Sequence, residues 1–243
     1  MIPISDENRG IRHHAWVNWS LIAINILVFL YELTLDQHEL DRFVTRWGVV
    51  PRLVAHGHHL ETLITCAFLH GGWLHIGGNM LFLWVFGDNI EDIMGHVQYL
   101  VFYLLCAVCA GLLQVFVDSS STNPLVGASG AIAGVLAAYL VLFPKGKIRT
   151  LLLIGIPLII LLPAWIVIGI WIILQFISGV ASLGVDTANT SGVAYFAHIG
   201  GFIAGAILVF VFRDRETHQQ HVAARADNQA WSRFRLGSGQ EAR

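Results

Sequence analysis

The chain has 243 residues, of which 56% are hydrophobic and 12% charged, and its mean hydropathy is +0.66. This balance is more apolar than that of soluble domains of similar length, and it indicates a membrane protein. The formal net charge is −2 and no dense basic face lies outside the C-terminal tail, which excludes a typical nucleic-acid-binding protein.

Six apolar stretches approach the length of about 20 residues that a helix needs to cross roughly 30 Å of hydrocarbon. They are Val17–Leu33, Leu74–Ile90, Val97–Val117, Ala128–Phe143, Ala164–Val180 and Val193–Phe212. They predict an all-α fold, a polytopic membrane helix bundle of six transmembrane helices. A further stretch, Leu151–Leu162, contains Pro157 and precedes Pro163. We interpret it as an amphipathic or partly inserted approach to the fifth span, which leaves a seven-span count open.

The distribution of Lys and Arg predicts the orientation of the spans. No small-residue cleavage site follows the first stretch, so we interpret it as a signal anchor that leaves the N terminus in the cytoplasm. With both termini inside, all of the 14 Lys and Arg residues except Arg42, Arg46 and Arg52 lie on the cytoplasmic side, as the positive-inside rule requires. The predicted organisation is a cytoplasmic tail at 1–15, a six-span domain at 16–212 and a polar cytoplasmic tail at 213–243.

Two segments on the outer side are distinctive. The segment from Thr34 to Trp73 is too long for a simple connector and contains His56, His58 and His59. The loop Ala181–Gly192 is rich in small and polar residues, and we expect it to be flexible. The three cysteines, an odd number, predict no disulfide framework.

Polar residues inside the spans are costly in lipid, so each is a candidate functional residue. His75 and Asn79 lie four residues apart at the start of the second span. Ser129 begins the fourth span, and His198 lies near the start of the sixth. Because spans two, four and six all run from outside to inside, their first turns lie at similar depth. The four side chains can therefore converge slightly below the outer surface.

This set meets the requirements of acyl transfer. Ser129 supplies a hydroxyl nucleophile, and His198 supplies an imidazole that accepts its proton. Asn79 and His75 supply donors for an oxyanion hole, and the free N–H groups at the helix start add another. Each part has a structural alternative, since Gly and Ser are common where membrane helices pack and His75 with Asn79 could be an interhelical pair. Their occurrence together at one depth favours catalysis.

A hydrogen bond between Ser129 and His198 requires spans four and six to approach closely. Small-xxx-small patterns, which let membrane helices pack backbone against backbone, occur on both spans. The residues predicted to support this packing are Gly130, Gly134, Gly201 and Gly205.

Metal binding and cofactors are not predicted. His56, His58 and His59, and equally His70 with His75, lack a carboxylate or cysteine at an established ligand spacing.

The acidic residues are assigned structural roles. Asp88, Glu91 and Asp92 lie at the inner end of the second span, where we expect them to bind helix ends and nearby loops. Asp186 lies in an outer loop and could approach His198, but we do not predict a triad.

Four motifs carry a resemblance to a known family. They are Phe68-Leu69-His70-Gly71-Gly72-Trp73-Leu74-His75-Ile76-Gly77-Gly78-Asn79, Phe86-Gly87-Asp88-Asn89-Ile90-Glu91-Asp92 with Gly95, Gly127-Ala128-Ser129-Gly130-Ala131, and Ala197-His198-Ile199-Gly200-Gly201 with Gly205. On these motifs, over roughly residues 15–212, the chain resembles the rhomboid family of intramembrane serine proteases in its six-span bacterial form.

The resemblance implies a serine endopeptidase that cuts in or near transmembrane segments of membrane proteins, with a Ser129–His198 dyad and no required acid. It implies Asn79 and His75 on the oxyanion side and a structural role for His70. It also implies transmembrane protein substrates, the bilayer as the other partner, and the bacterial inner membrane as the location. The segment after the first span would lie against the outer leaflet, and the fifth span with the loop after it would form a lateral gate.

One position departs from the family pattern. Ala133 stands where some members carry a tyrosine that stacks on the catalytic histidine. Close helix packing or another ring must then orient His198.

Two other functions compete with that of a protease. An inactive relative that binds transmembrane clients without cutting them is disfavoured, because Ser129 and His198 are both retained. A small transporter or channel with a polar path would be favoured by inverted repeats or paired broken helices, and the sequence shows neither.

Overall fold

The computed structural model describes residues 1–6, 14–154, 156–183 and 194–223, which are mostly helical. A 3₁₀ turn, Cys66–Phe68, precedes the longest helices, and residues 215–223 are also helical. The α-helices are α1 (Trp16–Glu32), α2 (Gln37–Trp47), α3 (Pro51–Ala55), α4 (Thr62–Thr65), α5 (Trp73–Met94), α6 (His96–Val117), α7 (Ser129–Leu142), α8 (Ala164–Ser182) and α9 (Tyr195–Phe212).

Within the described ranges, three helices, α6, α8 and α9, are long and apolar enough to cross a membrane. Helices α1 and α7 are apolar but shorter, and α5 carries Asp88, Glu91 and Asp92 near its C-terminal end. The protein is a multi-pass membrane protein, and its mostly helical architecture agrees with the predicted bundle. The count of six spans stays a prediction.

The all-α prediction is wrong, because the described residues include a three-stranded antiparallel sheet. Its strands, in spatial order, are β1 (Ile2–Asp6), β2 (Lys147–Ile154) and β3 (Ile156–Pro163). Leu151–Leu162, the stretch predicted to be an amphipathic or partly inserted approach to the fifth span, lies in β2 and β3. The strand β1 lies in the predicted N-terminal tail. Pro157 and Pro163 interrupt helical hydrogen bonding, but an edge strand tolerates them, and isoleucine favours strands.

Helices α6, α7 and α9 form the most closely packed group. Large aromatic side chains, among them Phe86, Tyr99, Tyr103 and Tyr139, are fully buried in the core around them. Helix α8 contacts α7 and α9 but is the least buried of the three long apolar helices. The three closely packed helices therefore form the centre of the molecule, and α8 lies at its more exposed margin.

A buried carboxylate joins α5 to the start of α1. Glu91 is 1% exposed and accepts hydrogen bonds from the backbone N–H groups of Val17 and Asn18, at 2.9 and 2.7 Å. The first N–H groups of a helix have no partner within it, and the positive end of the helix dipole favours a carboxylate there. The Asn18 side chain in turn donates to the Leu83 carbonyl and accepts from the Tyr99 hydroxyl. The expected binding of helix ends by these acidic residues is thus observed for Glu91.

We expect Glu91→Ala to lower the free energy of unfolding by about 1–3 kcal/mol, because it leaves a buried N–H donor, that of Asn18, and a partly buried one, that of Val17, without an acceptor. Thermal unfolding in detergent would measure the loss. The exposed Glu216 provides the matched control, since Glu216→Ala should leave the melting temperature nearly unchanged. A Glu91→Ala protein as stable as the wild type would contradict the proposed anchoring role.

Candidate active site

Ser129 is held at the start of α7 by the segment that precedes it. Leu125 and Val49 exchange backbone hydrogen bonds of 3.0 and 2.7 Å, and the Gly127 N–H donates to the Cys66 carbonyl at 2.9 Å. Gly127 has φ of +124°, a conformation that a side chain would strain, so glycine permits the turn into the helix. Ser129 therefore lies where helix N–H groups are free and negative charge is favoured.

His198 lies in the first turn of α9 and faces Ser129. Its Nε2 lies 2.7 Å from Ser129 Oγ, which is hydrogen-bonding distance. His198 is 8% exposed, whereas Ser129 is partly buried. The structure thus brings together the nucleophile and base candidates, which lie 69 positions apart in the sequence.

The four glycines of the small-xxx-small patterns lie where α7 and α9 meet. A methyl group added at Gly201 would lie far inside contact distance of the Gly130 carbonyl oxygen and 2.8 Å from the Gly130 carbonyl carbon. A methyl group at Gly205 would likewise overlap the Gly134 backbone. No side chain could fit at either position without a separation of the helices. This contact sets the distance between Ser129 and His198.

We expect Gly201→Val to lower kcat/KM by roughly 10- to 100-fold, because a displacement near 1 Å at the reacting atoms has an effect of this size. Cleavage kinetics of a single-span substrate and thermal unfolding, both in detergent, would measure it. Gly169 on α8 is the control, since a methyl group there meets nothing within 4 Å and Gly169→Val should be tolerated. Wild-type turnover and stability in Gly201→Val would count against this packing constraint.

Two side chains of α8 contact the His198 ring. Gln175 Oε1 lies 2.7 Å from His198 Nδ1, and the Trp171 ring lies 5.6 Å from the imidazole ring with an angle of 38° between the planes. Trp171 thus supplies a ring near His198, as the presence of alanine at position 133 required. Ala133 itself is fully buried. Gln175 is not among the site residues predicted from the sequence. The signal that could have indicated it is an amide side chain within an otherwise apolar span, because a polar group costs free energy in lipid.

His75 and Asn79 lie one turn apart at the start of α5. A methyl group added at Gly127 would lie 2.6 Å from His75 Nε2 and 3.6 Å from Ser129 Oγ, so both side chains border the space in front of Gly127. Asn79 Nδ2 lies 2.9 Å from His70 Nε2 and donates to it, because an amide N–H can only donate. The structure thus brings His75 beside Ser129, whereas the Asn79 amide donates a hydrogen bond to His70.

A second buried carboxylate supports His70. Glu32, at the end of α1, is 3% exposed and accepts from the His70 backbone N–H at 3.2 and 3.3 Å. Because His70 accepts from Asn79, Glu32 begins a chain of hydrogen bonds that ends at the Asn79 amide. Glu32 is likewise not among the predicted site residues, although an acidic residue within an apolar stretch is a signal of a functional position.

A small cavity of about 20 Å³ lies beside Ser129. Its wall includes Gly130 and the small side chains of Ala67, Ala107 and Ala110. A space of this size accommodates about one water molecule or a methyl-sized group.

The remaining candidates lie apart from this site. His59 contacts Arg46 and Glu61 on the exposed segment between α1 and α5. Hydrogen bonds from the Glu61 backbone and then Arg46 lower the pKa of Glu61. Among the described residues, no group of three His, Cys, Asp or Glu side chains is arranged to hold a metal ion. Asp186 and most of the loop Ala181–Gly192 lie outside the described residues.

The fold and the site together define a multi-pass helical membrane protein with a serine–histidine pair between two closely packed helices. The family model of the Rhomboid domain matches residues 57–215, more than half of the chain. The chain belongs to the rhomboid family.

Similar curated proteins carry the same family name. The chain is 29% identical over 195 residues to "Rhomboid protein 1, mitochondrial" of Saccharomyces cerevisiae, covering 78% of this chain and 51% of the yeast protein. It is 28% identical over 195 residues to "Presenilin-associated rhomboid-like protein, mitochondrial" of Homo sapiens, covering 76% and 45%. It is 37% identical over 89 residues to "RHOMBOID-like protein 5" of Arabidopsis thaliana, covering 37% and 28%. The chain spans about half the length of the yeast and human relatives.

Proposed function

We propose that this chain is an intramembrane serine endopeptidase that hydrolyses peptide bonds in or near transmembrane segments of membrane proteins. The observation that carries the proposal is the 2.7 Å contact between Ser129 Oγ and His198 Nε2 at the start of two packed helices. Family membership adds independent support, because rhomboid proteases act on transmembrane substrates. No cofactor enters the reaction.

In the first half of the reaction, His198 Nε2 accepts the Ser129 hydroxyl proton while Oγ attacks the scissile carbonyl carbon. The tetrahedral intermediate then collapses, and the imidazolium gives its proton to the leaving amine. An acyl group remains on Ser129. In the second half, His198 takes a proton from water, the resulting hydroxide attacks the ester carbonyl, and Ser129 recovers its proton.

The oxyanion of each intermediate needs donors that are already in position. We assign this role to the Ser129 backbone N–H, the His75 ring and the Asn79 side chain. An amide carries two N–H bonds, so the hydrogen bond from Asn79 to His70 leaves the second N–H for an oxyanion. Glu32 and His70 then hold that amide in place without contacting substrate.

The small cavity beside Ser129 favours substrates with small residues at the cleavage point. Most of the residues in its wall are alanine or glycine, and its volume of about 20 Å³ excludes a large side chain. A transmembrane substrate must also unwind locally, because an active-site serine reaches an extended backbone more easily than a helix with internal hydrogen bonds.

The proposed topology has six spans with both termini in the cytoplasm, supported by the distribution of Lys and Arg. The bacterial inner membrane is the proposed location, through the resemblance to the six-span form. The names of the yeast and human relatives assign those two proteins to mitochondria.

We expect Ser129→Ala and His198→Ala each to reduce cleavage of a single-span model substrate by more than about 10³-fold, because each removes one partner of the proton transfer. Purified protein in detergent would be compared with Ser20→Ala, an exposed serine of α1 that should leave activity unchanged. Covalent labelling of wild-type Ser129 by a fluorophosphonate would report the nucleophile independently of substrate choice.

The outcomes separate the alternatives. Loss of cleavage and labelling in both variants, with melting temperatures close to wild type, would support the dyad. A folded wild-type protein that neither cleaves several substrates nor reacts with the probe would indicate an inactive relative that binds transmembrane clients. Cleavage that survives both substitutions would show that the site assignment is wrong.

For the oxyanion side, we expect Asn79→Ala to lower kcat by roughly 100-fold with little change in KM, because the lost donor acts on the intermediate more than on the bound substrate. Asn25 is the matched control, a buried asparagine of α1 whose amide donates within its own helix. Asn25→Ala should leave kcat unchanged. A wild-type kcat in Asn79→Ala would contradict the role of Asn79 as an oxyanion donor.

A further inference from the structure

The second ring nitrogen of His198 has a specific partner. The Ser129 hydroxyl lies against Nε2, and Gln175 Oε1 lies 2.7 Å from Nδ1 on the opposite side of the ring. We propose that Gln175 is a positioning residue that holds His198 in the tautomer able to accept the Ser129 proton. This inference rests on the proposed function, because it assigns His198 the role of general base.

The chemistry of imidazole makes the tautomer decisive. A neutral ring carries one proton, so one nitrogen donates and the other accepts. An amide oxygen can only accept, and its contact with Nδ1 therefore keeps the ring proton on Nδ1. Nε2 is left with a lone pair directed at the Ser129 hydroxyl, as a general base requires. The opposite tautomer would place a proton on Nε2 and prevent the transfer.

Gln175 acts within a pair of contacts from the same helix. Trp171 lies four residues earlier on α8, on the same helical face, and its ring lies beside the imidazole of His198. The amide sets the direction of the Nδ1–H bond, and the indole limits tilting of the ring plane. Together they supply the orientation that Ala133, with its small side chain, cannot provide.

The same geometry makes α8 part of the catalytic assembly. Gln175 and Trp171 both lie on α8, whereas His198 and Ser129 lie on the closely packed α9 and α7. Helix α8 is also the least buried of the three long apolar helices. A displacement of α8 away from α9 would therefore remove both orienting contacts while the distance between Ser129 and His198 stayed set by glycine packing.

The test compares three variants in steady-state cleavage of the model substrate. Gln175→Leu keeps the approximate size but has no acceptor, and we expect kcat to fall by roughly 10- to 100-fold with KM unchanged. Gln175→Glu keeps an acceptor at Nδ1, and we expect kcat within a few-fold of wild type. Gln114→Leu, a partly buried glutamine on α6, is the control and should leave kcat and KM unchanged.

Rescue by glutamate distinguishes positioning from packing and also tests the direction of the hydrogen bond. If Gln175→Glu were as impaired as Gln175→Leu, an acceptor at Nδ1 would not be what the reaction requires, and the proposal would be overturned. Wild-type kcat in Gln175→Leu would overturn it as well. Fluorophosphonate labelling of Ser129 in the wild type separates this failure from failure of the proposed function, since the labelling does not require Gln175 to have any role.

A measurement on the wild-type protein covers the case in which the variants do not fold. With ¹⁵N-labelled histidine, the His198 nitrogens can be assigned among the 12 histidines by comparison with His198→Ala. We expect a protonated Nδ1 and an unprotonated Nε2 at neutral pH. A signal from His198 with the proton on Nε2 would overturn the proposal.

Discussion

The contact between the backbones of α7 and α9 is the constraint on which the site depends. Gly201 lies against the Gly130 carbonyl, and Gly205 lies against the Gly134 backbone one turn further along. Lipid offers no hydrophobic force to drive two apolar helices together, so close backbone packing must supply the attraction. That packing brings a serine and a histidine from distant parts of the chain to 2.7 Å. Any side chain at these glycines would separate the pair.

Around this contact, the polar side chains of the candidate site are hydrogen-bonded to one another. His198 has Ser129 on one nitrogen and Gln175 on the other, and His70 lies between Asn79 and Glu32. A polar group in an apolar interior costs free energy unless it is hydrogen-bonded, so each partner stabilises the position of the next. The tightly packed helices set the distance between the reacting groups. Helix α8 and the segment before α5 set their orientation.

The end of the molecule opposite the candidate site follows the same rule. Glu91 binds the first N–H groups of α1, and His221 in the segment 215–223 lies against Asp92 of α5 in a fully buried pair. The strand β1 adds Asp6, which accepts from the Tyr139 hydroxyl on α7. Buried acidic groups therefore tie the described terminal segments to α5 and α7, at the opposite ends of these helices from the candidate site.

The sequence by itself determined the membrane class, the apolar helices and the residues of the candidate dyad, because hydropathy and the cost of polar groups in lipid are local properties. It did not determine the sheet, since an apolar run such as Leu151–Leu162 suits a strand or a helix and its pairing with β1 is non-local. Nor did it reveal Gln175, whose role depends on where α8 packs against His198. Only the tertiary structure brings residues 23 positions apart on two helices to hydrogen-bonding distance, because the crossing of helices is set by packing and not by local pattern.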